Sequence, residues 1–241
     1  MKKRQFQYTC YKPLINSVEN VLEQMMQISL EIKGTDFENL KAFNATYHII
    51  TQNVFKKMHT GYFHNDKKME EIDIVFAQFY FTALKNFVNK EPVDLAWNTL
   101  FSNLISNIPF QFIYMALGIN AHVNNDLPLT LLQINPDTKE ENSDYNKINI
   151  VIKDSLDQVI IVLHEPSFLL NVAEDALLPV YRFFLDILIG KWRTDAWYKF
   201  QLLKKNKDHS EKVKEDAFVI AVKLRNVTDL TAVPKIFSLV V

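Results

Sequence analysis

The sequence has little cysteine, little glycine and almost no net charge. Its single cysteine, Cys10, excludes an internal disulfide and a thiolate metal cluster. Only four glycines occur among 241 residues, well below the roughly 7% of average proteins, which disfavours a turn-rich β architecture. The formal net charge of −1 offers no basic face to neutralise phosphates, so we expect no nucleic-acid partner.

Long apolar runs are also missing. No stretch of about 18 uncharged apolar residues occurs, so we expect no integral membrane association. The chain starts with M-K-K-R-Q-F-Q-Y-T-C-Y-K-P, a basic segment without the apolar region of a secretory signal. These features predict a soluble, cytoplasmic protein.

What the chain does have is apolar material at helical spacing. Hydrophobic residues make up 48% of it and aromatic residues 12%, enough for one core at this length. Apolar residues recur every three or four positions in successive segments. We therefore predict an all-α fold, a single domain over residues 1–241 with roughly eight helices around a polar centre. Residues 1–13 and 228–241 are expected to be terminal extensions that pack on the domain.

One polar residue falls where an aliphatic side chain is expected. Asp73 lies inside the apolar stripe that Met69, Ile72 and Phe76 form on a predicted helix. A buried acid needs a cation, a metal or several hydrogen-bond donors. Asp73 is thus a candidate site residue, and a buried salt bridge to Arg182 or Arg193 is the structural alternative.

A strongly apolar helix pattern over residues 111–128 ends in a polar cluster. His122 and Asp126 are four residues apart, so they point the same way if the helix continues through them. Together with Asp73 they would supply ligands for a divalent ion such as zinc, manganese or iron. Gly118, one turn before His122, leaves space there for a ligand or for another helix.

Three interpretations of this stretch stay open: a metal site, a polar ligand pocket without metal, and a purely structural role. In the structural case His122 is a satisfied histidine and Gly118 marks close helix packing. Larger enzyme classes are easier to exclude, because no nucleophile elbow, P-loop, dinucleotide fingerprint or H-E-x-x-H motif is present.

Several segments together resemble a known family. They are G-Y-F-H-N-D-K-K-M-E-E-I-D-I-V-F-A-Q-F-Y from Gly61, Trp97 followed by Phe101, L-G-I-N-A-H-V-N-N-D-L-P from Leu117, D-Y-N-K-I-N from Asp144 and R-T-D-A-W from Arg193. Over about residues 36–203 the chain resembles the bacterial family catalogued as domain of unknown function 5995. The resemblance implies an α-helical domain and a shared polar centre, but no particular reaction. By motif position the centre would comprise Asp66, Asp73, Asn120, His122, Asn124, Asp126, Asn149 and Arg193.

The spacing L-G-x-x-x-H-x-x-x-D from Leu117 is also similar to part of the helical zinc-dependent phospholipase C superfamily. In that superfamily a histidine and an aspartate one turn apart both bind metal. This chain lacks the N-terminal tryptophan ligand and the further histidine pairs of that pattern.

Two functions follow as hypotheses. The first is a small-molecule site that, in its boldest form, performs metal-assisted hydrolysis of a small anionic or lipid-like substrate. His122, Asp126 and Asp73 would hold the cation as catalytic residues, and Arg193 would bind an anionic group. Asn120, Asn124, Asp66 and Asn149 would complete the ligand site. The second is a non-enzymatic binding or scaffold protein whose buried His/Asp/Arg network fixes helix register. The sequence leaves the oligomeric state open.

Overall fold

The computed structural model describes residues 4–8, 14–105, 111–163, 182 and 184–227. Across these ranges the chain forms helices and their connections, and the one β-type pairing there is an isolated bridge between Arg4 and Thr35. The predicted all-α fold is confirmed. The predicted domain limits stay a prediction, since residues 1–3, 9–13 and 228–241 lie outside the described residues.

The described part of the first half forms five α-helices, which are α1 (Val18–Ile32), α2 (Lys41–Phe55), α3 (Asp66–Val88), α4 (Leu95–Asn103) and α5 (Gln111–Asn120), and a short 3-10 helix (Glu38–Leu40) before α2. In the second half α5 continues through a π-helical turn (Ala121–Asp126) into α6 (Leu127–Ile134). There follow α7 (Lys139–Leu163), a second π-helical turn (Phe184–Leu188), α8 (Ile189–Lys205) and α9 (His209–Arg225). Among the described residues no helix combines the length and apolar character needed to cross a membrane.

Side-chain caps explain where several helices start. The side chain of Asn65 accepts a hydrogen bond from the Lys68 amide at the start of α3, as its position predicts. Helix α7 begins at Lys139. A reciprocal pair starts it: the Thr138 hydroxyl accepts from the Glu141 amide, and the Glu141 carboxylate accepts from the Thr138 amide.

Helix α5 lies at the centre of the bundle. Every residue from Phe112 to Asn120 is buried, as expected for a helix that is apolar on all sides. It packs against α2, α4 and α9. The approach to α2 is close at Gly118, where a Cβ atom would lie 2.3 Å from Cγ of Phe43. Gly118 therefore serves helix packing, and the space beside it is filled by Phe43 rather than left for a ligand.

The π-helical turn between α5 and α6 carries the polar cluster of the central stretch. Its six residues, A-H-V-N-N-D, are all buried. Such turns hold an extra residue in an otherwise α-helical rod and occur often at functional sites. The turn packs against α3, α8 and α9. Polar side chains from a single element thereby reach several neighbouring helices.

Candidate ligand-binding site

A cavity of about 60 Å³ lies beside the π-helical turn, lined by α2, α3, α5, α7 and α8. Aliphatic and aromatic side chains form most of its wall. Its charged or ionisable lining residues include Asp73, His122 and Arg193. A space of this size holds a few water molecules.

His122 lines this cavity and uses one ring nitrogen within the protein. Nδ1 lies 3.1 Å from Oδ2 of Asp126. Nε2 is buried and has no hydrogen-bond partner. The ring stacks on Phe76 with centroids 3.4 Å apart, and Tyr47 packs against it at 4.4 Å. Burial lowers the pKa of His122 well below its usual value, so the imidazole is neutral at pH 7.

Asp126 lies behind His122 and is surrounded by donors. Its Oδ2 also accepts from Nε1 of Trp97 at 3.0 Å, and its Oδ1 accepts from Nδ2 of Asn125 at 2.8 Å. Burial raises the pKa of Asp126 well above its ordinary value, and the bonds from Asn125 and Trp97 oppose that rise. Because both oxygens accept hydrogen bonds, we assign the shared proton to His122 Nδ1. The unpaired Nε2 then carries the lone pair.

Asp73 is the second group with an unpaired atom at this cavity. Its Oδ2 is buried and has no hydrogen-bond partner. Burial raises the pKa of Asp73 to about 7; the charge of Arg193 opposes the rise and the charge of Glu70 adds to it. Near neutral pH the carboxyl group is therefore divided between its neutral and ionised forms.

Arg193 is held in place by α7. Its Nε donates to Oδ1 of Asn149 at 2.7 Å, and its Nη2 donates to the carbonyl of Tyr145 at 2.9 Å. The guanidinium lies over the Tyr145 ring, 4.2 Å from its centroid. None of the hydrogen bonds and ion pairs of the described residues joins Arg193 to Asp73. The predicted salt bridge of Asp73 is thus absent here, and Arg182 pairs with Asp157 instead.

The other predicted site residues lie away from the cavity wall. Asp66 begins α3, where its carboxylate is 3.9 Å from His59. Asn120 donates to the carbonyl of Ala217 on α9, and Asn124 donates to Asn120. The structure therefore brings Asp73, His122 and Arg193 together and places Asp126 and Asn149 behind them. Asp66, Asn120 and Asn124 bind other parts of the protein.

The predicted metal ligands do not form one set. Within the described ranges no group of three or more His, Cys, Asp or Glu side chains is arranged to hold a metal ion. The spacing of His122 and Asp126 does put both on one side of the chain. They contact each other, however, and Asp126 is absent from the residues that line the cavity.

Sequence reasoning missed two residues that organise the site. The indole N–H of Trp97 donates a hydrogen bond to Asp126. Tyr145 supports Arg193 twice, since its hydroxyl also donates to the Arg193 carbonyl at 2.6 Å. Both belong to the segments that carry the family resemblance, which was the available signal.

The sequence profile of a family of unknown function, DUF5995, matches residues 18–230. The chain belongs to DUF5995. This match confirms the resemblance predicted from the motifs, and it includes every residue that lines the cavity. No curated protein and no solved structure matches the chain. The likeness to phospholipase C stays a prediction.

Proposed function

We propose that this DUF5995 protein binds a small anionic substrate in the cavity and hydrolyses it, with His122 as the general base. The observation that carries the proposal is a set of three unpaired buried atoms, His122 Nε2, Asp73 Oδ2 and the Tyr47 hydroxyl oxygen, on residues that line one space with Arg193. A buried polar atom without a partner costs about 1–3 kcal/mol. Three of them at one cavity support a site that a ligand or water completes.

The His122–Asp126 pair supports base catalysis. Asp126 fixes the ring and its tautomer, so a neutral Nε2 can accept a proton. A water molecule in the cavity would give a proton to Nε2 while its oxygen attacks an acyl carbon. Nε2 would then give that proton to the leaving group. Arg193 would bind the anionic group of the substrate.

Cavity size favours the small anionic substrate over the lipid-like one. A space of about 60 Å³ takes only a few non-hydrogen atoms, whereas a lipid chain requires the wall to open. The substrate we propose is therefore a short acyl compound.

Metal assistance would use fewer protein ligands than the sequence suggested. His122 Nε2 and the Asp73 carboxylate are the donors at the cavity, and Asp126 would support the metal-binding histidine from its other nitrogen. Elemental analysis of untagged protein tests this version. It predicts zinc, manganese or iron in the wild type and its loss in His122→Gln. If the purified protein contains no metal and none of these ions stabilises it, metal assistance is excluded and base catalysis without metal remains the proposed mechanism.

A structural role for the polar network is the second candidate, because the network joins many elements. Asp126 links the π-helical turn to α4 through Trp97, and Asn120 links it to α9. The Tyr80 hydroxyl on α3 likewise donates to Asn44 on α2 at 3.0 Å. If this is the only role, His122→Gln lowers the melting temperature and changes nothing else.

Histidine NMR with small molecules separates the two candidates. Acetate, phosphate and propionamide are titrated into wild-type protein and into two variants. His122→Gln removes the cavity group, whereas Thr130→Val removes a buried unpaired hydroxyl that does not line the cavity. We expect at least one probe to shift the His122 ring signals in the wild type and in Thr130→Val. Absence of any shift from all three probes would refute ligand binding at this cavity.

A further inference from the structure

The Tyr47 hydroxyl is a polar group at the cavity to which the proposed reaction gives no role. Its oxygen is buried and has no hydrogen-bond partner, and Tyr47 lines the cavity from α2. We propose that Tyr47 is a further catalytic residue, whose hydroxyl donates a hydrogen bond to the carbonyl oxygen of the bound acyl group. The inference rests on the proposed function, because it assigns Tyr47 a role in the same hydrolysis.

The hydroxyl of Tyr47 differs from the other hydroxyl groups of the wall. Among the described residues, the hydroxyl groups that line the cavity belong to Thr46, Tyr47, Thr51 and Tyr145. The Thr46 and Tyr145 hydroxyls donate to backbone carbonyls, at 2.8 Å to Ala42 and at 2.6 Å to Arg193. Tyr47 carries the buried hydroxyl of this set that has no partner in the described structure. A phenol has one hydrogen to donate, so an acceptor atom on the ligand would satisfy it.

Aromatic contacts hold the Tyr47 ring beside the general base. Its centroid lies 4.4 Å from that of the His122 ring, and the two planes are at 65°. Phe43 stacks on it at 5.9 Å, and Phe76 packs edge-on at 5.8 Å. A buried ring between such neighbours keeps its orientation, so its hydroxyl is in place before a ligand arrives. Donors that are preorganised in this way stabilise a developing oxyanion without a cost of reorientation.

The proposed hydrolysis needs a donor at the carbonyl oxygen. As water attacks, its proton moves to His122 Nε2 and a new C–O bond forms at the acyl carbon. The electron pair of the carbonyl double bond moves to the carbonyl oxygen, which becomes an oxyanion. The Tyr47 hydroxyl donates to this oxygen and keeps its own proton throughout. When the C=O bond forms again, the leaving group departs with the proton from Nε2.

Carbon NMR of a labelled carbonyl group tests this contact. Acetate and propionamide, each labelled with carbon-13 at the carbonyl carbon, are titrated into wild-type protein and into Tyr47→Phe. A hydrogen bond to the carbonyl oxygen withdraws electron density, so it moves the signal of the carbonyl carbon downfield. We expect at least one probe to show this shift with the wild type. In Tyr47→Phe the shift should be lost, and the affinity should weaken by roughly three- to tenfold.

Tyr80→Phe is the matched control, because Tyr80 packs against Tyr47 but donates to Asn44 and does not line the cavity. The two variants should have opposite effects. Tyr47→Phe should keep the melting temperature of the ligand-free protein, since the lost hydroxyl has no partner there. Tyr80→Phe should lower it by about 2–4 °C and should keep the carbonyl shift. Thr51→Val removes another hydroxyl of the wall and should also keep the shift.

Several results would overturn the role of Tyr47 and leave the ligand site intact. One is a bound probe whose carbonyl shift is the same in wild type and in Tyr47→Phe. Loss of the shift in Thr51→Val alone would assign the carbonyl contact to Thr51. Binding of phosphate alone would leave no acyl carbonyl in the site. A Tyr47→Phe protein that melts lower or fails to fold would show that the hydroxyl bonds within the protein.

Failure of the proposed function itself gives a different result. In that case acetate, phosphate and propionamide all leave the His122 ring signals of the wild type unchanged. The carbonyl signals of the labelled probes then also stay at their positions in free solution.

Discussion

At the scale of single residues, Asp73 is an ionisable side chain buried in a largely apolar environment. A carboxyl group with a pKa near 4 in the unfolded chain has a pKa of about 7 in the folded one. The folded state therefore prefers the protonated form. The stability linked to Asp73 is fully present below pH 4 and is lost as the pH rises through 7.

Asp73→Asn should remove this dependence. Relative to wild type, we expect the variant to gain stability as the pH rises from 4 to 7, by about 1 kcal/mol for each pH unit inside that window, and to gain no more above it. Urea denaturation at several pH values measures the difference. A constant difference between the two proteins would show that Asp73 has the same pKa in the folded and unfolded states.

Trp97 offers a second residue-scale prediction, because its indole donates to Asp126. Trp97→Phe removes that donor and part of the core, and should cost about 3 kcal/mol of unfolding free energy. The pKa of Asp126 should rise further, since the Trp97 bond lowers it. Nitrogen NMR should then show proton density moving from Nδ1 to Nε2 of His122. Tyr80→Phe, in the same aromatic cluster but bonded to Asn44, should leave the His122 tautomer unchanged.

At the scale of helices, the sequence predicts the elements better than their irregular parts. Helices α1 to α3 follow the apolar spacing closely, because burial of one face determines both pattern and structure. The π-helical turn leaves no such pattern, since it changes which backbone groups pair rather than which side chains are apolar. The start of α7 is set by hydrogen bonds between Thr138 and Glu141, which apolar spacing does not show.

The site was predictable only in part, for a related reason. A carboxylate inside an apolar stripe identified Asp73, and local spacing put His122 beside Asp126. Whether Asp126 faces a ligand or Trp97 depends on how α4 packs against the central helix. Contacts between elements distant in sequence decide that orientation, and periodicity does not encode them.

Gly118 and Gly190 provide a matched test of helix packing. Gly118→Ala should destabilise the protein by about 1–3 kcal/mol, because its Cβ would overlap the Phe43 ring. Gly190→Ala adds a Cβ with no atom within 4 Å and should stabilise α8 by about 0.5–1 kcal/mol. Thermal or urea denaturation of both variants measures these two changes in stability. Equal effects would contradict the close approach of α2 and α5.

At the scale of the whole molecule, Asp144 fastens the loop before α3 onto α7. Its Oδ2 accepts from the backbone amides of His64 and Asn65 at 2.7 and 2.9 Å, and its Oδ1 accepts from Lys147 at 2.9 Å. Burial raises the pKa of Asp144, but these hydrogen bonds outweigh burial and the net pKa is lowered. Its contribution to stability is thus present above pH 4 and lost as the pH falls through the folded pKa.

Asp144→Asn should therefore destabilise the protein at pH 7 by about 2–3 kcal/mol, and the difference from wild type should shrink towards pH 3. Denaturation of both proteins between pH 3 and pH 7 measures this difference in unfolding free energy. Together with Asp73, which acts in the opposite direction, this predicts a stability maximum on the acid side of neutrality. A difference that is independent of pH would assign the loss to packing alone.

The π-helical turn also has a genetic consequence. Since such a turn holds one residue more than an α-helical turn, it corresponds to a single-codon insertion in a continuous rod formed by α5 and α6. The flanking helices keep their apolar sides in the core on either side of it. The orientation of His122 and the apolar composition of the core can therefore change independently. We expect deletion of one codon in this turn to reorient His122 and to leave the composition of the surrounding core unchanged.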